Sequence, residues 1–203
     1  MKILPILVLS LSVPAVALTA AALQPAASAA SSTVAAEATK FKIDSGHSSV
    51  LFRVKHFGVS NFYGRFNKVS GEITWDAKTP EASSISIEID AASVDSNDKG
   101  RDDHLRNTDF LSAKEFPTIS FKSKSVKKKG AQLELTGDLT LHGVTKSVTT
   151  TVDLTGEGET PFGYRAGFET TFDIKRSEYG VSGVPGGVGE DVRITVSIEG
   201  VKA

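Results

Sequence analysis

Apolar and polar residues alternate with a period of two through most of this chain, and that narrows what it can build. Ser84-Ile85-Ser86-Ile87-Glu88-Ile89-Asp90 alternates strictly, so its isoleucines share one face of a β-strand. Val50, Phe52 and Val54 face one way in an earlier strand, opposite Arg53 and Lys55. Phe62 to Trp75 reads as a long extended stretch, reached through a Gly58 to Asn61 connector. Further strands are marked by Ile119, Phe121 and Val126, by Leu133, Leu135, Leu139 and Leu141, and by Val144, Val148, Val152 and Leu154. Phe168 and Phe172 mark the next, and Val192-Ile194-Val196-Ile198 the last. About eight long antiparallel strands with little helix predict a sandwich or a closed barrel. Closure removes the edges that long strands would expose. Gly64 and Gly71 sit inside the Phe62 to Trp75 stretch, and in-strand glycines favour bulged or bent, curved sheets. An eight-stranded barrel has an interior that side chains fill or that holds one small ligand.

One stretch breaks the alternation. Asp95 to Gly100 is turn chemistry, rich in side chains that satisfy local backbone groups. Arg101-Asp102-Asp103-His104-Leu105-Arg106 follows, then Asp109-Phe110-Leu111. Acidic residues near its start suit the positive end of a helix, and Pro117 returns the chain to extended geometry. The expectation is one or two helical turns inserted between the third and fourth strands, anchored by Leu105, Phe110 and Leu111. The i,i+3 pair Arg101/His104 and the i,i+4 pair Asp102/Arg106 are expected to meet on its face.

The N-terminus has a different grammar. Lys2, the apolar run Ile3 to Leu11 and the small-residue patterns Ala15-Val16-Ala17 and Ala27-Ser28-Ala29 describe a secretory signal peptide. Residues 1–29 are assigned to it, with cleavage after Ala17 or Ala29, and 30–40 to a disordered leader. The apolar run is too short for a membrane span, so an exported, periplasmic protein is expected. About 160 residues remain from Phe41 on, enough for one domain with a real core. The chain has no Cys, so no disulfide supports that core.

Charge and motif content exclude several functions. The formal net charge is −1, and the one basic run, Lys127-Lys128-Lys129, reads as a hairpin tip. A nucleic-acid partner would need a basic field that is missing here. The four histidines, His47, His56, His104 and His142, fall on separate segments without the spacing of a metal site. No cofactor motif and no nucleophile-and-base arrangement is present; neither catalysis, a cofactor nor a metal is expected. The cluster of Arg101, His104 and Arg106, together with Arg176, has two readings. It pins the insert to a barrel rim, or it meets a polar head group, since Arg forks suit phosphate.

The apolar face carries the main expectation. Phe52, Val54, Phe66, Ile119, Phe121, Leu139, Leu141, Phe168, Phe172, Ile194 and Val196 point inward in this register. A one-residue slip would reverse any strand. Sequence alone leaves open whether these residues line a lumen or fill a solid core.

Four separated motifs carry a resemblance. The first is Ile43-Asp44-Ser45-Gly46-His47-Ser48-Ser49-Val50 with Phe52, Val54 and His56. The second joins Arg101 to Arg106 with Asp109-Phe110 and Phe116-Pro117-Thr118-Ile119-Ser120-Phe121. The third is Gly137-Asp138-Leu139-Thr140-Leu141-His142-Gly143-Val144-Thr145-Lys146. The fourth is Arg176-Ser177-Glu178-Tyr179-Gly180 with the Asp191-Val192 strand. In this order, from Phe41 to the C-terminus, they resemble the YceI-like family of periplasmic polyisoprenoid-binding proteins. Asn97-Asp98 and the Gly183 to Gly189 loop depart from its pattern only locally. The resemblance implies an all-β, lipocalin-like, eight-stranded antiparallel barrel holding a long isoprenoid or other long-chain lipid. It implies a lipid carrier; no stable membrane insertion is expected, and a homodimer stands open beside a monomer. Two alternatives stand beside it: an enzyme acting on such a lipid through the Arg101 to Asp109 segment, and a filled barrel that serves as an interaction module.

Overall fold

The computed structural model describes residues 38–203. The expected signal peptide, and the expected leader up to residue 37, lie outside the described residues. The strands are β1 (Thr39–Ile43), β2 (Ser49–His56), β3 (Ser60–Phe66), β4 (Val69–Trp75), β5 (Ser84–Asp90) and β6 (Val94–Asp95). After helix α1 (Lys99–Leu105) come β7 (Thr118–Lys129), β8 (Gln132–Leu141), β9 (Val144–Thr160), β10 (Gly163–Lys175) and β11 (Val188–Lys202). The antiparallel order β1-β4-β5-β7-β8-β9-β10-β11 closes on itself where Phe41 to Ile43 pair with Lys202 to Gly200. This is a closed eight-stranded barrel. The remaining short strands prolong ring positions: β2 continues β1 along β11, β3 leads into β4, and β6 extends β5.

The structure revises several boundaries. Thr39 and Lys40, assigned to the leader, belong to β1 and pair with Trp75 and Thr74. The Phe62 to Trp75 stretch is two strands, parted at Asn67 and Lys68, whose amides turn to the Ser93 carbonyl and hydroxyl. Gly64 and Gly71 interrupt no register. The bulges fall instead at Ser123/Ser125, Gly167/Phe168 and Val188/Val192. Gly64 and Gly137 serve close approach: a Cβ there would lie 2.2 Å from the Phe52 ring and 2.4 Å from the Phe121 ring. Two inward aromatic rings therefore lie over glycines of neighbouring strands, a recurrent device of curved sheets.

The two halves of the barrel are packed differently. Phe41, 1 % exposed, Ile73, Trp75, Phe168 and Ile198 fill the half around β1 and β4. Trp75 meets Phe168 edge to face at 5.3 Å and donates its indole N–H to Glu157 at 2.9 Å. Beside this half, at the β1–β2 break, Arg165 bonds both Asp44 and Glu199. The His47 ring and then the Arg165 guanidinium hold the Asp44 carboxyl down at about 2. The unfolded value is higher, so ionised Asp44 stabilises the fold above about pH 4, and that contribution fades as pH falls toward 2. Asp44→Asn should flatten the loss of stability between pH 4 and pH 2; urea midpoints across that window check it, and an unchanged acid limb counts against the linkage.

Candidate functional site

Above Phe168 the barrel is hollow. A cavity of about 200 Å³ occupies the other half, where a solid core would leave no void much larger than a water molecule. All eleven inward residues line it: Phe52 and Val54 of β2, Phe66 of β3, Ile119 and Phe121 of β7, Leu139 and Leu141 of β8, Phe168 and Phe172 of β10, Ile194 and Val196 of β11. Ile119, Leu139 and Phe168 are fully buried. The other eight are half-buried, because one side of each looks into empty space. Ile87 and Ile89 of β5 and Val148 and Val152 of β9 complete the wall. Period-two patterning marks these too: their strands were expected from the sequence, and only the list of inward residues left them out. The wall also carries the Thr150 and Thr170 hydroxyls, bonded to each other at 2.7 Å, with Thr170 also donating to the Thr151 carbonyl. They lie where β9 and β10 part, since the last pair between those strands is Val152 with Thr170.

Two segments cover the open end. Leu105, Phe110 and Leu111 of the insert face the cavity, as do Val181 and Val188 of the glycine-rich loop. The Gly183 amide donates to the Asp109 carbonyl at 2.8 Å and stitches the covers together. The insert is anchored as its sequence suggests, with different polar contacts. α1 begins at Lys99, capped by the Asp98 side chain on the Arg101 amide, and ends at Leu105. The expected Arg101/His104 and Asp102/Arg106 pairs do not form. Arg101 reaches back to the Ser96 hydroxyl at 2.9 Å and carbonyl at 2.7 Å, and its guanidinium lies 4.4 Å from the Phe62 ring centre. Asp102 accepts from the Ser96 amide and hydroxyl. Arg106 holds the Ala92 and Val94 carbonyls and pairs with Asp103. β6 ends before Ser96, so these backbone groups lack ladder partners, and the arginines take them.

The remaining polar candidates are bonded within the chain, except that the buried His142 Nε2 has no partner among the described residues. His104 bonds Asp109 at 3.0 Å on the outer surface, edge-on to Phe110. His142 Nδ1 donates to the Tyr179 carbonyl. Asp44, His47 and Glu199 cluster closely enough to suggest metal ligands, but Arg165 of the chain itself stands between the two carboxylates. Arg176 is the exception in placement. It is 6 % exposed, lines the cavity, and donates to the carbonyls of Val181, Gly183, Val188 and Gly189.

The profile of the YceI-like domain matches residues 41–200. The chain belongs to the YceI-like family. Among its relatives, Protein YceI of Salmonella arizonae is 42 % identical over 170-odd residues, spanning 84 % of this chain and 91 % of the relative. The UPF0312 protein of Pseudomonas aeruginosa is 42 % identical over 170 residues, 82 % and 89 % of the two chains. The crystal structure of Burkholderia cenocepacia BcnA superposes with a TM-score of 0.72 at 27 % identity, covering 77 % of this chain and 98 % of that one. A polyisoprenoid-binding domain from Saccharophagus degradans shares the fold at a TM-score of 0.61 and 15 % identity, covering 82 % and all of the two chains.

In this YceI-like barrel the Arg101 contacts predict a structural role. Arg101→Ala removes two hydrogen bonds and a cation–π contact, which should cost about 1–2 kcal/mol and lower Tm by roughly 2–8 °C. Any lipid that the cavity takes up should be retained. Thermal melts and lipid content of the one variant decide it, and lost lipid with an unchanged Tm would reassign Arg101 to the ligand.

Proposed function

We propose that the chain is a carrier that takes up a long-chain isoprenoid lipid, of the polyprenyl or quinone type, and holds it unaltered in the lumen. The observation that carries this reading is the unfilled apolar cavity, floored at one end by Phe168, which packs on Trp75, and covered at the other by Leu105, Phe110 and Leu111. A hydrocarbon chain offers only apolar surface, so burial must supply its affinity, and this wall offers little else. The polyisoprenoid-binding domain of Saccharophagus degradans, built on the same fold, supports the ligand class.

The test is mass spectrometry of lipid that copurifies with the protein from its own cell envelope. A single prenyl lipid series at near-stoichiometric amount is expected, and it should return unchanged after incubation. An empty barrel would sink the carrier reading; a chemically altered lipid would favour the enzyme.

The carrier acts in the periplasm, after cleavage of the N-terminal signal. β1 begins at Thr39, so cleavage after Ala17 or Ala29 leaves the barrel whole. Intact mass of the exported protein should place its first residue between Leu18 and Ala38. A mass that includes Met1 would overturn export by cleavage.

A further inference from the structure

We infer that the end of the barrel carrying the β2–β3 turn and the glycine-rich loop is a docking surface for an anionic phospholipid bilayer. Among the described residues, three of the exposed large apolar side chains collect there: Val59 at 85 %, Phe57 at 64 % and Val184 at 42 % exposure. The Phe57 amide donates to the Gly187 carbonyl at 2.7 Å. A Cβ on Gly187 would touch both the Phe57 ring and the Val184 side chain, so the two segments form one apex. Phe57 and Val184 hold φ angles of 47° and 52°, in the left-handed region that bulky and β-branched residues avoid. Such strain persists where surrounding contacts enforce it, often at binding sites. Here the enforcing contacts are bonds from Gly187 and Val188 to the Val184 carbonyl.

The wall just below the apex has the composition of a membrane interface. Arg53 lies opposite Tyr63, and Lys55 opposite Asn61. Tyr63 is 61 % exposed. Arg193 and Lys175 neighbour them on β11 and β10, and both are matched by carboxylates, Arg193 by Asp173 and Lys175 by Asp191. Glu190 is turned to Ser177. Asp173 also faces Arg53, and Glu190 keeps its charge, so among the described residues the four cations of this wall outnumber its three carboxylates by one. An apolar tip under a belt of Tyr, Arg and Lys is the arrangement that seats at the headgroup level of a bilayer. Excess cations favour an anionic surface.

The apex adjoins the lumen. Val54 stands three residues before Phe57, Val188 follows Gly187, and both line the cavity. A prenyl lipid resides in a bilayer, so a carrier with this tip meets its ligand beside the covers of its own lumen. That last step rests on the carrier reading; the docking surface itself does not.

The test uses the exported, signal-cleaved protein and flotation with vesicles of phosphatidylethanolamine and phosphatidylglycerol. Wild type should float with the vesicles. F57S/V59S should partition about a hundredfold less, at about tenfold for each apolar side chain, with circular dichroism and Tm unchanged. Val184→Asn keeps a residue that tolerates the left-handed region and should also weaken flotation. R53Q/K55Q should lose binding to phosphatidylglycerol vesicles and leave any binding to phosphatidylcholine vesicles as it was. The inference is overturned if wild type fails to float, or if F57S/V59S floats equally well. Sedimentation showing a dimer that F57S/V59S dissolves would also overturn it and assign the tip to a second copy. Lipid content of the same preparations separates the two readings. Flotation by a protein whose lumen holds no lipid ends the carrier and keeps the docking surface. Bound lipid without flotation does the reverse.

Discussion

Val196→Lys is expected to leave the barrel folded and strip it of lipid. Val196 sits in β11 between Val50 and Thr170, and its half-buried side chain lines the cavity. A ligand burying roughly 600 Å² would gain about 15 kcal/mol gross at 25 cal/mol per Å². Association itself costs on the order of 4–15 kcal/mol, so the net is between nothing and about 11 kcal/mol, and a penalty of several kcal/mol weighs heavily against it. A lysine ammonium in the wall can be hydrated while the cavity is free to admit water. When a prenyl chain enters, that charge must be desolvated, at several kcal/mol. Each 1.4 kcal/mol is about tenfold in affinity, so binding should fall by at least about a hundredfold. The measurement is lipid per protein by mass spectrometry, with circular dichroism as the fold control. In a solid core the same lysine would be a buried unpaired charge and unfold the protein. Unfolding would therefore restore the filled-barrel reading, and a folded variant still carrying lipid would contradict the inward placement of Val196.

The wall of this lumen was legible because period two is a geometric rule. Residues two apart share a face, so Leu139 and Leu141, or Ile194 and Val196, had to point together once their strands formed. Strand number and length left a sandwich beside a closed barrel; the in-strand glycines favoured the barrel and the family resemblance implied it. The division between the solid half and the hollow half was not legible. Phe41 and Phe121 are both apolar residues on alternating strands, and only the distance across the closed sheet decides that one packs against Tyr164 while the other borders a void. β1 escaped notice as a strand for a related reason. Five residues ending at the Asp44 turn carry little periodic signal, and their pairing with β4 and β11 is a property of closure.

The arginines of the rim show a second kind of illegibility. Spacing along a helix suggests which side chains can meet, and on that ground Arg101 belongs with His104. It does not show which backbone carbonyls a chain end leaves without partners. Ser96, Ala92 and Val94 offered such carbonyls, and a guanidinium with several donors in a fork outcompetes a partly exposed imidazole for them. The Asx residues before α1 were read correctly in kind, because an N-cap is local: Asp98 needed only the next turn of chain.

Arg176→Met should be among the most destabilising single changes in the barrel. A head-group role was open for Arg176 because an Arg fork suits phosphate, and it does line the lumen, yet its guanidinium is already shared among four carbonyls at 2.8 to 3.0 Å. All four belong to the 181–189 stretch, a glycine-rich loop with few apolar contacts of its own beyond Val181 and Val188. Each carbonyl left buried without a donor costs about 1–3 kcal/mol. Methionine fills much of the volume and supplies no donor. The loop should then loosen until water reaches some of those groups, which limits the loss to about 3–5 kcal/mol, the scale for removing one partner of a buried charge. Tm should drop on the order of 10 °C, and amide hydrogens of Val181, Gly183 and Val188 should exchange faster than those of β7 and β8. Arg176→Lys should recover only part of the loss, since one ammonium cannot serve four carbonyls spread around a planar fork. Calorimetry and hydrogen exchange on both variants test this directly. A normal Tm with slow exchange in the loop, together with lost lipid, would show instead that Arg176 holds the ligand and that the loop stands without it.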